Sequence, residues 1–107
     1  MTQSADALER LREALRDHPD VDEKQMVGGR SFLLGGKICC GVIGDRIMLR
    51  VGRDDYEWAL SQPNIGPMVL GTKRPVGYVM LARAGYENDA ELAEWVGRAV
   101  TFVRSIP

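Results

Sequence analysis

Residues 32–51, FLLGGKICCGVIGDRIMLRV, contain the strongest indication of the fold. Two pairs of turn residues, Gly35-Gly36 and Gly44-Asp45, divide this stretch into three apolar runs. Two-residue loops that contain glycine are typical of β-hairpins, because glycine readily adopts the positive φ that these turns need. Strands that are joined by hairpins are antiparallel. The stretch therefore predicts an antiparallel meander of three strands.

The sequence before residue 32 predicts a helix and the start of the first strand. Three leucines recur at steps of three and four residues, as on the apolar face of a helix: Leu8, Leu11 and Leu15. Ser4 can cap this helix, and Pro19 ends it. The strand-rich region begins at about Val21, and we expect a bulge or a sharp bend at Gly28-Gly29.

The sequence after residue 51 predicts a short helix and one or two further strands. Asp54 or Asp55 can cap the short helix, which continues to Leu60. Residues 76–82 carry β-branched and aromatic side chains, which favour a strand. Residues 68–70 form a second, shorter candidate strand.

The last helix begins after Asn88 or Asp89, either of which can cap it. Together the elements predict a two-layer α+β domain, α-β3-α-β2-α, with three helices on one face of a five-stranded antiparallel sheet. The side chains expected to share one core are Leu8, Leu11, Leu15, Ile47, Leu49, Val51, Trp95, Val96, Ala99 and Val103.

Length and charge exclude several classes of protein. The chain has 107 residues, which predicts a single domain over residues 1–107. Its formal net charge is −1, so it has no overall attraction for nucleic acid or for an anionic membrane. No apolar segment approaches the roughly 20 residues that span a bilayer. The first 15 residues carry several charges and no export signal, so we expect a cytoplasmic protein.

Few residues offer catalytic or metal-binding chemistry. The cysteines are Cys39 and Cys40, and the one histidine is His18, which together are fewer than the roughly four ligands of a closed zinc site. Consecutive strand residues point to opposite faces, so we expect one thiol in the core and the other on the far face of the sheet. The sequence therefore predicts free thiols, no metal, no cofactor and no enzyme activity.

The last strand of the meander has one apolar face and one mixed face, because side chains alternate along a strand. The core face consists of Ile47, Leu49 and Val51. The mixed face consists of Arg46, Met48 and Arg50. Lys37 on the neighbouring strand and Met80 on a later strand extend it into a possible interaction surface.

Several interpretations of this possible interaction surface stay open. It is either a solvated face or a binding surface for an anionic group or an acidic partner, and direct nucleic-acid binding is not expected in a slightly acidic chain. Met48 and Met80 also favour a homodimer, formed through the sheet face or through a sheet edge.

Four segments together resemble a known family. They are EKQMVGG (residues 23–29), GKICCGV (residues 36–42), DRIMLRVG (residues 45–52) and the closing helix of residues 95–107. Their order and spacing resemble the N-terminal domain of the TfoX/Sxy competence regulators. The resemblance covers nearly the whole chain and implies an α-β3-α-β2-α fold similar to secretion chaperones.

The resemblance also implies a class of function. The competence regulators carry a second, C-terminal domain and act with the cyclic-AMP receptor protein, and we expect this chain to lack that second domain. The family supplies no catalytic residue set to carry over. We therefore expect a small non-catalytic protein-interaction or regulatory domain, with a role in transcriptional or competence regulation as one option. The alternative is a module that binds a small molecule, and an enzyme is the least favoured class.

Overall fold

A computed structural model of the chain describes residues 5–26 and 29–107. The described helices are α1 (Ala5–Ala14), α2 (Tyr56–Leu60), α3 (Arg83–Tyr86) and α4 (Asp89–Ser105). The described strands are β1 (Val21–Met26), β2 (Gly29–Leu34), β3 (Lys37–Ile43), β4 (Arg46–Arg50), β5 (Ile65–Pro67) and β6 (Tyr78–Leu81).

The strands form one antiparallel sheet in the order β1-β2-β3-β4-β6-β5. The predicted α+β class is confirmed, but the sheet has six strands rather than five. The extra strand arises because the region predicted as one bent strand folds back on itself, so that Met26 pairs with Gly29. Gly28, where a bend was also expected, lies outside the described residues.

Both predicted hairpins are confirmed, and their backbone angles explain the glycines. Gly35 and Gly36 have φ values of 60° and 81°, as a type I′ turn between β2 and β3 requires. Gly44 has a φ of 61° at the first position of the turn between β3 and β4. These angles give each turn a backbone twist that matches the twist of the two strands that it joins.

The helix ends follow the sequence prediction in part. Asn88 caps α4, and its side chain accepts a hydrogen bond from the Glu91 backbone N–H at 2.9 Å. Asp55 stands at the start of α2, but its side chain makes no capping hydrogen bond. Ser4, the predicted cap of α1, lies outside the described residues. The helix α3 was not predicted.

The strand predicted at residues 68–70 is placed wrongly. The strand that pairs with β6 is β5, three residues earlier, where Pro67 lies opposite Val79. Beyond Pro67 the chain leaves the sheet, and Leu70 pairs with Lys73 in an isolated bridge.

The helices bury one face of the sheet. All ten predicted core residues are buried, and they belong to one cluster that also includes side chains of β2, β3, β6, α2 and α3. Burial of this apolar area at roughly 25 cal/mol per Å² is the main force that holds the two layers together. No helix of residues 5–26 and 29–107 packs on the opposite face of the sheet, which we call the helix-free face.

A β-bulge in β3 changes which side chains reach each face. Phe32 pairs with Cys40 and Leu33 pairs with Ile38, so Cys39 is an extra residue in β3. A bulge interrupts the alternation of side chains along a strand. Both thiols are consequently buried in the core on the helix side, and the prediction of one thiol on each face is wrong.

The bulge also moves Lys37. Lys37 pairs with Leu34, whose side chain belongs to the core, whereas the next residue, Ile38, faces the other way. Lys37 therefore lies at the end of β3 on the helix side, and not beside Arg46 as the simple alternation predicted.

Candidate binding groove on the helix-free face

Two methionines form a second apolar centre on the helix-free face. Met48 and Met80 are direct cross-strand partners, and they are only 3% and 8% exposed. Neither belongs to the core between the sheet and the helices. Residues 68–76, which we call the covering segment, run beside this face, and three of them, Met68, Leu70 and Pro75, line one cavity together with Met48.

A cavity of about 390 Å³ lies between the sheet and this segment. We call it the groove. Its floor comes from β2, β3 and β4 and consists of Gly29, Arg30, Ser31, Ile38, Ile43 and Met48. Its wall consists of Met68, Leu70, Pro75 and Tyr78. The volume and the mostly apolar lining are typical of sites for small ligands, which occupy roughly 300–1,000 Å³.

Ser31 places a hydroxyl in this apolar groove. It is 7% exposed, and it is the only buried polar residue in the part of the chain that the structure describes. Its pairing with Gly41, which itself pairs with Met48, puts its side chain on the helix-free face. The hydroxyl makes no hydrogen bond within residues 5–26 and 29–107, and it still reaches solvent, because the fully buried side-chain polar atom without a partner in these residues is Arg30 Nε. Ser31 is therefore a solvent-accessible polar group in the groove that a bound molecule can contact.

The outer surface of the covering segment is apolar. Val69, Leu70 and Val76 are each at least half exposed. Three of the four large apolar side chains exposed in the described residues thus lie within eight positions of the chain, beside the groove. Clustered exposure of this kind marks interaction sites in soluble proteins, whereas single exposed apolar residues do not.

Four cations flank the groove. Arg46 is the cross-strand partner of Ile43, which lines the groove. Lys73 and Arg74 lie in the sequence between the lining residues Leu70 and Pro75. Arg50 donates a hydrogen bond to the Ile38 carbonyl at 3.3 Å. It stacks over the Tyr78 ring at 5.4 Å and over the Phe102 ring of α4 at 5.7 Å, so it lies at the end of β4 between the groove and the helix side. The carboxylate nearest to Arg46 in the sequence is that of Asp45, in the turn between β3 and β4.

The flanking cations differ from the other arginines in their partners. Among the residues that the structure describes, none of Arg46, Arg50, Lys73 and Arg74 forms an ion pair. On the helix side, in contrast, Arg12 binds Glu23 at 2.6 Å and Arg104 binds Asp20 at 2.9 Å. The helix-free face therefore carries positive charge that no carboxylate of the described residues pairs with.

Four of the five residues of the predicted interaction surface belong to this face by strand pairing: Arg46, Met48, Arg50 and Met80. Of these four, Met48 lines the groove. Lys37 does not lie on this face, because the bulge in β3 places it on the helix side. Sequence reasoning missed Ser31 and the covering segment. The run of apolar residues at positions 68–70, next to Pro67, was a signal for the segment, but it was interpreted as a strand.

The buried thiols form a pair with unequal acidity. A hydrogen bond with Cys39, together with burial, raises the pKa of Cys40 well above its ordinary value. The same hydrogen bond lowers the pKa of Cys39, with smaller contributions from Arg104 and Arg50. No three side chains of His, Cys, Asp or Glu in the described residues are grouped as metal ligands would be.

A second depression lies on the helix side. It has a volume of about 730 Å³, is open to solvent, and runs along α4 past Gly97, Thr101 and Phe102. Its charges are mixed, since Arg53 and Arg98 stand near Asp54, Asp55 and Glu94. It lacks a buried polar side chain, and we use it below as a control surface.

The comparisons with known proteins place the chain in a family. No described helix is long and apolar enough to cross a membrane. Searches of curated proteins and of solved structures give no significant match. The family model of the TfoX N-terminal domain matches residues 13–103, which include the end of α1, the whole described sheet and most of α4. This chain therefore belongs to the TfoX N-terminal domain family.

Proposed function

We propose that this chain is a non-catalytic interaction or regulatory domain that binds a partner protein through its helix-free face. The observation that carries the proposal is the exposed apolar surface of Val69, Leu70 and Val76 beside the groove. Family membership supports a regulatory role, because the matching family is of the competence-regulator type. The proposal includes the cytoplasmic location that was expected from the sequence.

The charges of this face favour an acidic partner. Arg46, Lys73 and Arg74 are exposed and have no carboxylate partner among the described residues. Complementary charge on a partner accelerates association and selects the correct contact. A symmetric homodimer through the same face would instead bring one positively charged face against its own copy, which costs free energy. We therefore favour a different, acidic protein over a second copy of this chain.

The sheet edges also disfavour self-association by strand addition. The edge strand β1 carries Asp22, Glu23, Lys24 and Gln25, which is a charged sequence typical of protected edges. The other edge strand, β5, is three residues long and contains Pro67. Both features hinder pairing with a further strand, so the face is the better contact surface.

The composition of the groove supports a binding role rather than catalysis. Its lining holds no carboxylate, imidazole or thiol that could act as a general base or a nucleophile. The two thiols of the chain are buried on the other side of the sheet, and Cys40 is held in its neutral form.

A second candidate function is binding of a small molecule, and the Ser31 hydroxyl in the groove favours it. A protein that covers the groove from outside leaves this hydroxyl without a hydrogen-bond partner, whereas a small molecule inside the groove can accept a hydrogen bond from it. The two functions are compatible, because the residues that line the groove and those that face outward belong to the same covering segment.

The proposal is tested by comparing two variants of equal charge on opposite sides of the domain. Val69→Asp places a carboxylate on the exposed apolar surface, and Thr101→Asp places one on the exposed side of α4. Each tagged chain is expressed in the native host, and any co-purifying protein is identified, purified and titrated against the three chains.

We expect the partner to bind the wild type and Thr101→Asp alike and to bind Val69→Asp at least tenfold more weakly. Light scattering on the purified chain is expected to give a mass near 12 kDa throughout, which follows from its 11.9 kDa. A partner that is lost with Thr101→Asp and retained with Val69→Asp would move the function to the helix side. A stable mass near 24 kDa that Val69→Asp lowers would replace the partner with a second copy.

A further inference from the structure

We infer that the groove is a binding site for a small apolar carboxylate, and that its occupancy controls the surface which the partner protein reads. The inference rests on the proposed function in one respect, since the control is exerted on that same face. Binding of the carboxylate itself depends only on the groove.

The interior of the groove selects an apolar body. Ile38, Ile43 and Met48 on the floor and Met68 and Leu70 on the wall offer hydrocarbon on both sides. A ligand that removes this surface from water gains roughly 25 cal/mol for each Å² of apolar area that it buries. The volume of about 390 Å³ fits a compact molecule, and it is too enclosed for a folded partner to enter.

The polar groups of the groove select an anionic head. The Ser31 hydroxyl makes no hydrogen bond within the described residues and reaches solvent in the groove, so it can donate a hydrogen bond to an anionic oxygen. The charges of Arg46, Lys73 and Arg74 lie near lining residues and raise the local concentration of anions. Hydrogen bonds to an ionised acceptor are stronger than those to a neutral one. A carboxylate satisfies both features, whereas a cationic head would meet repulsion.

Occupancy reaches the outer surface through the covering segment. Leu70 lines the groove and is also half exposed, so it contributes to both surfaces. Its neighbours Val69 and Val76 face outward beside it. A ligand that packs against Met68, Leu70 and Pro75 selects one position of the segment and so favours one arrangement of the exposed apolar surface. The predicted regulation is a change in partner affinity when the groove is filled.

The test uses three probes that share a ten-carbon tail and differ in the head group. Decanoate is anionic, decanol is neutral and decyltrimethylammonium is cationic. Each is titrated into the full chain by calorimetry at low and high salt. We expect decanoate to bind most tightly, decanol more weakly and the cationic probe least. We also expect added salt to weaken decanoate alone, because salt screens exposed charges.

Three variants locate the site. Ser31→Ala removes one hydrogen bond and is expected to weaken decanoate binding about two- to tenfold. Arg46→Glu reverses one flanking charge and is expected to weaken decanoate about two- to fivefold or more, with decanol unchanged. Arg16→Glu makes the same charge reversal at an exposed site on the helix side, and its decanoate affinity is expected to equal that of the wild type.

The outcomes separate this inference from the proposed function. Failure of decanoate to bind, equal binding of decanol, or equal loss with Arg16→Glu would each overturn the carboxylate site. The Val69→Asp variant tests partner binding and carboxylate binding separately, because Val69 is exposed and does not line the groove. It is expected to retain decanoate affinity while losing the partner. Decanoate that binds but leaves partner affinity unchanged within twofold would overturn the regulatory part.

Discussion

Met48 and Met80 lie opposite each other on β4 and β6, on the face that carries no helix, and both are buried. The neighbours of Met48 along β4, Ile47 and Leu49, are fully buried on the helix side. The central strand of this small domain is therefore enclosed on both faces. A two-layer domain buries one face of its sheet in the simplest case, so the second enclosed face needs a further explanation. We attribute it to the groove and its covering segment.

The two sides of β4 are expected to differ in how they tolerate truncation. Leu49→Ala in the helix-side core should cost about 2–5 kcal/mol of unfolding free energy. Met48→Ala should cost less, because the space it leaves joins the groove rather than forming a new closed cavity. Chemical denaturation measures both, with exposed Val69→Ala as the control. A loss below about 1 kcal/mol for Leu49→Ala would place that side chain outside the core.

Two glycines are expected to respond to alanine in opposite directions. Gly52 has a φ of 91°, and an added Cβ would collide with the Phe102 ring, so Gly52→Ala should destabilise the fold. Gly97 lies inside α4, and an added Cβ would meet nothing within 4 Å. Gly97→Ala should therefore stabilise the fold by about 0.5–1 kcal/mol through its higher helix propensity. Thermal unfolding of the two variants checks both signs, and stabilisation by Gly52→Ala would contradict this geometry.

Acid is expected to weaken the contact between α1 and β1. Arg12 donates to both oxygens of Glu23, at 2.8 and 2.6 Å, and this lowers the pKa of Glu23. A lowered native pKa means that the stabilisation is present above the ordinary glutamate pKa of about 4.3 and is lost as the pH falls through the native value. Glu23→Gln should flatten this part of the stability profile, whereas Glu13→Gln, at an exposed pair on α1, should change it less. Parallel acid profiles for Glu23→Gln and the wild type would contradict the prediction.

The cysteines are expected to titrate as a buried pair. Because the native pKa of Cys40 is raised, its contribution to stability is present below the ordinary thiol pKa of about 8.5 and declines as the pH rises toward the native value. Cys40→Ala should reduce the loss of stability above that pH. Alkylation in the native state should be slow and should become fast on unfolding, since both side chains are fully buried. Rapid native alkylation of both thiols would place at least one of them at the surface.

The parts of the fold that follow local rules could be predicted from the sequence. Turn glycines such as Gly35-Gly36, helical leucines and the cap at Asn88 each act over a few residues, so they can be read without knowing the tertiary structure. The bulge at Cys39 could not be predicted in this way. The sequence KICCGVI is compatible with a regular strand and with a bulged one. The bulge depends on how this strand packs against Phe32 and the helices, and that packing cannot be seen in the local sequence.

The candidate site could be predicted in part, because alternation along a strand is also a local rule. Alternation along β4 correctly separated Arg46, Met48 and Arg50 from the core residues. It failed at Lys37, which lies beyond the bulge. It also could not reveal the groove, since residues of the covering segment line the groove together with residues of the sheet. Such an arrangement depends on long-range contacts that no local pattern in the chain encodes.

The measurement that tests the central claim most directly is a nuclear magnetic resonance titration with reporters on both sides of the sheet. The chain is labelled at the methionine methyl groups and at the tryptophan indoles, and signals are assigned with Met→Leu variants. Met48, Met68 and Met80 report on the helix-free face, while Trp58 and Trp95, whose rings lie 5.6 Å apart, report on the helix side. On addition of the partner identified by the Val69→Asp comparison, we expect the three methionine signals to shift and the two indole signals to stay. Shifted indoles with unchanged methionines would contradict the assignment of function to the helix-free face.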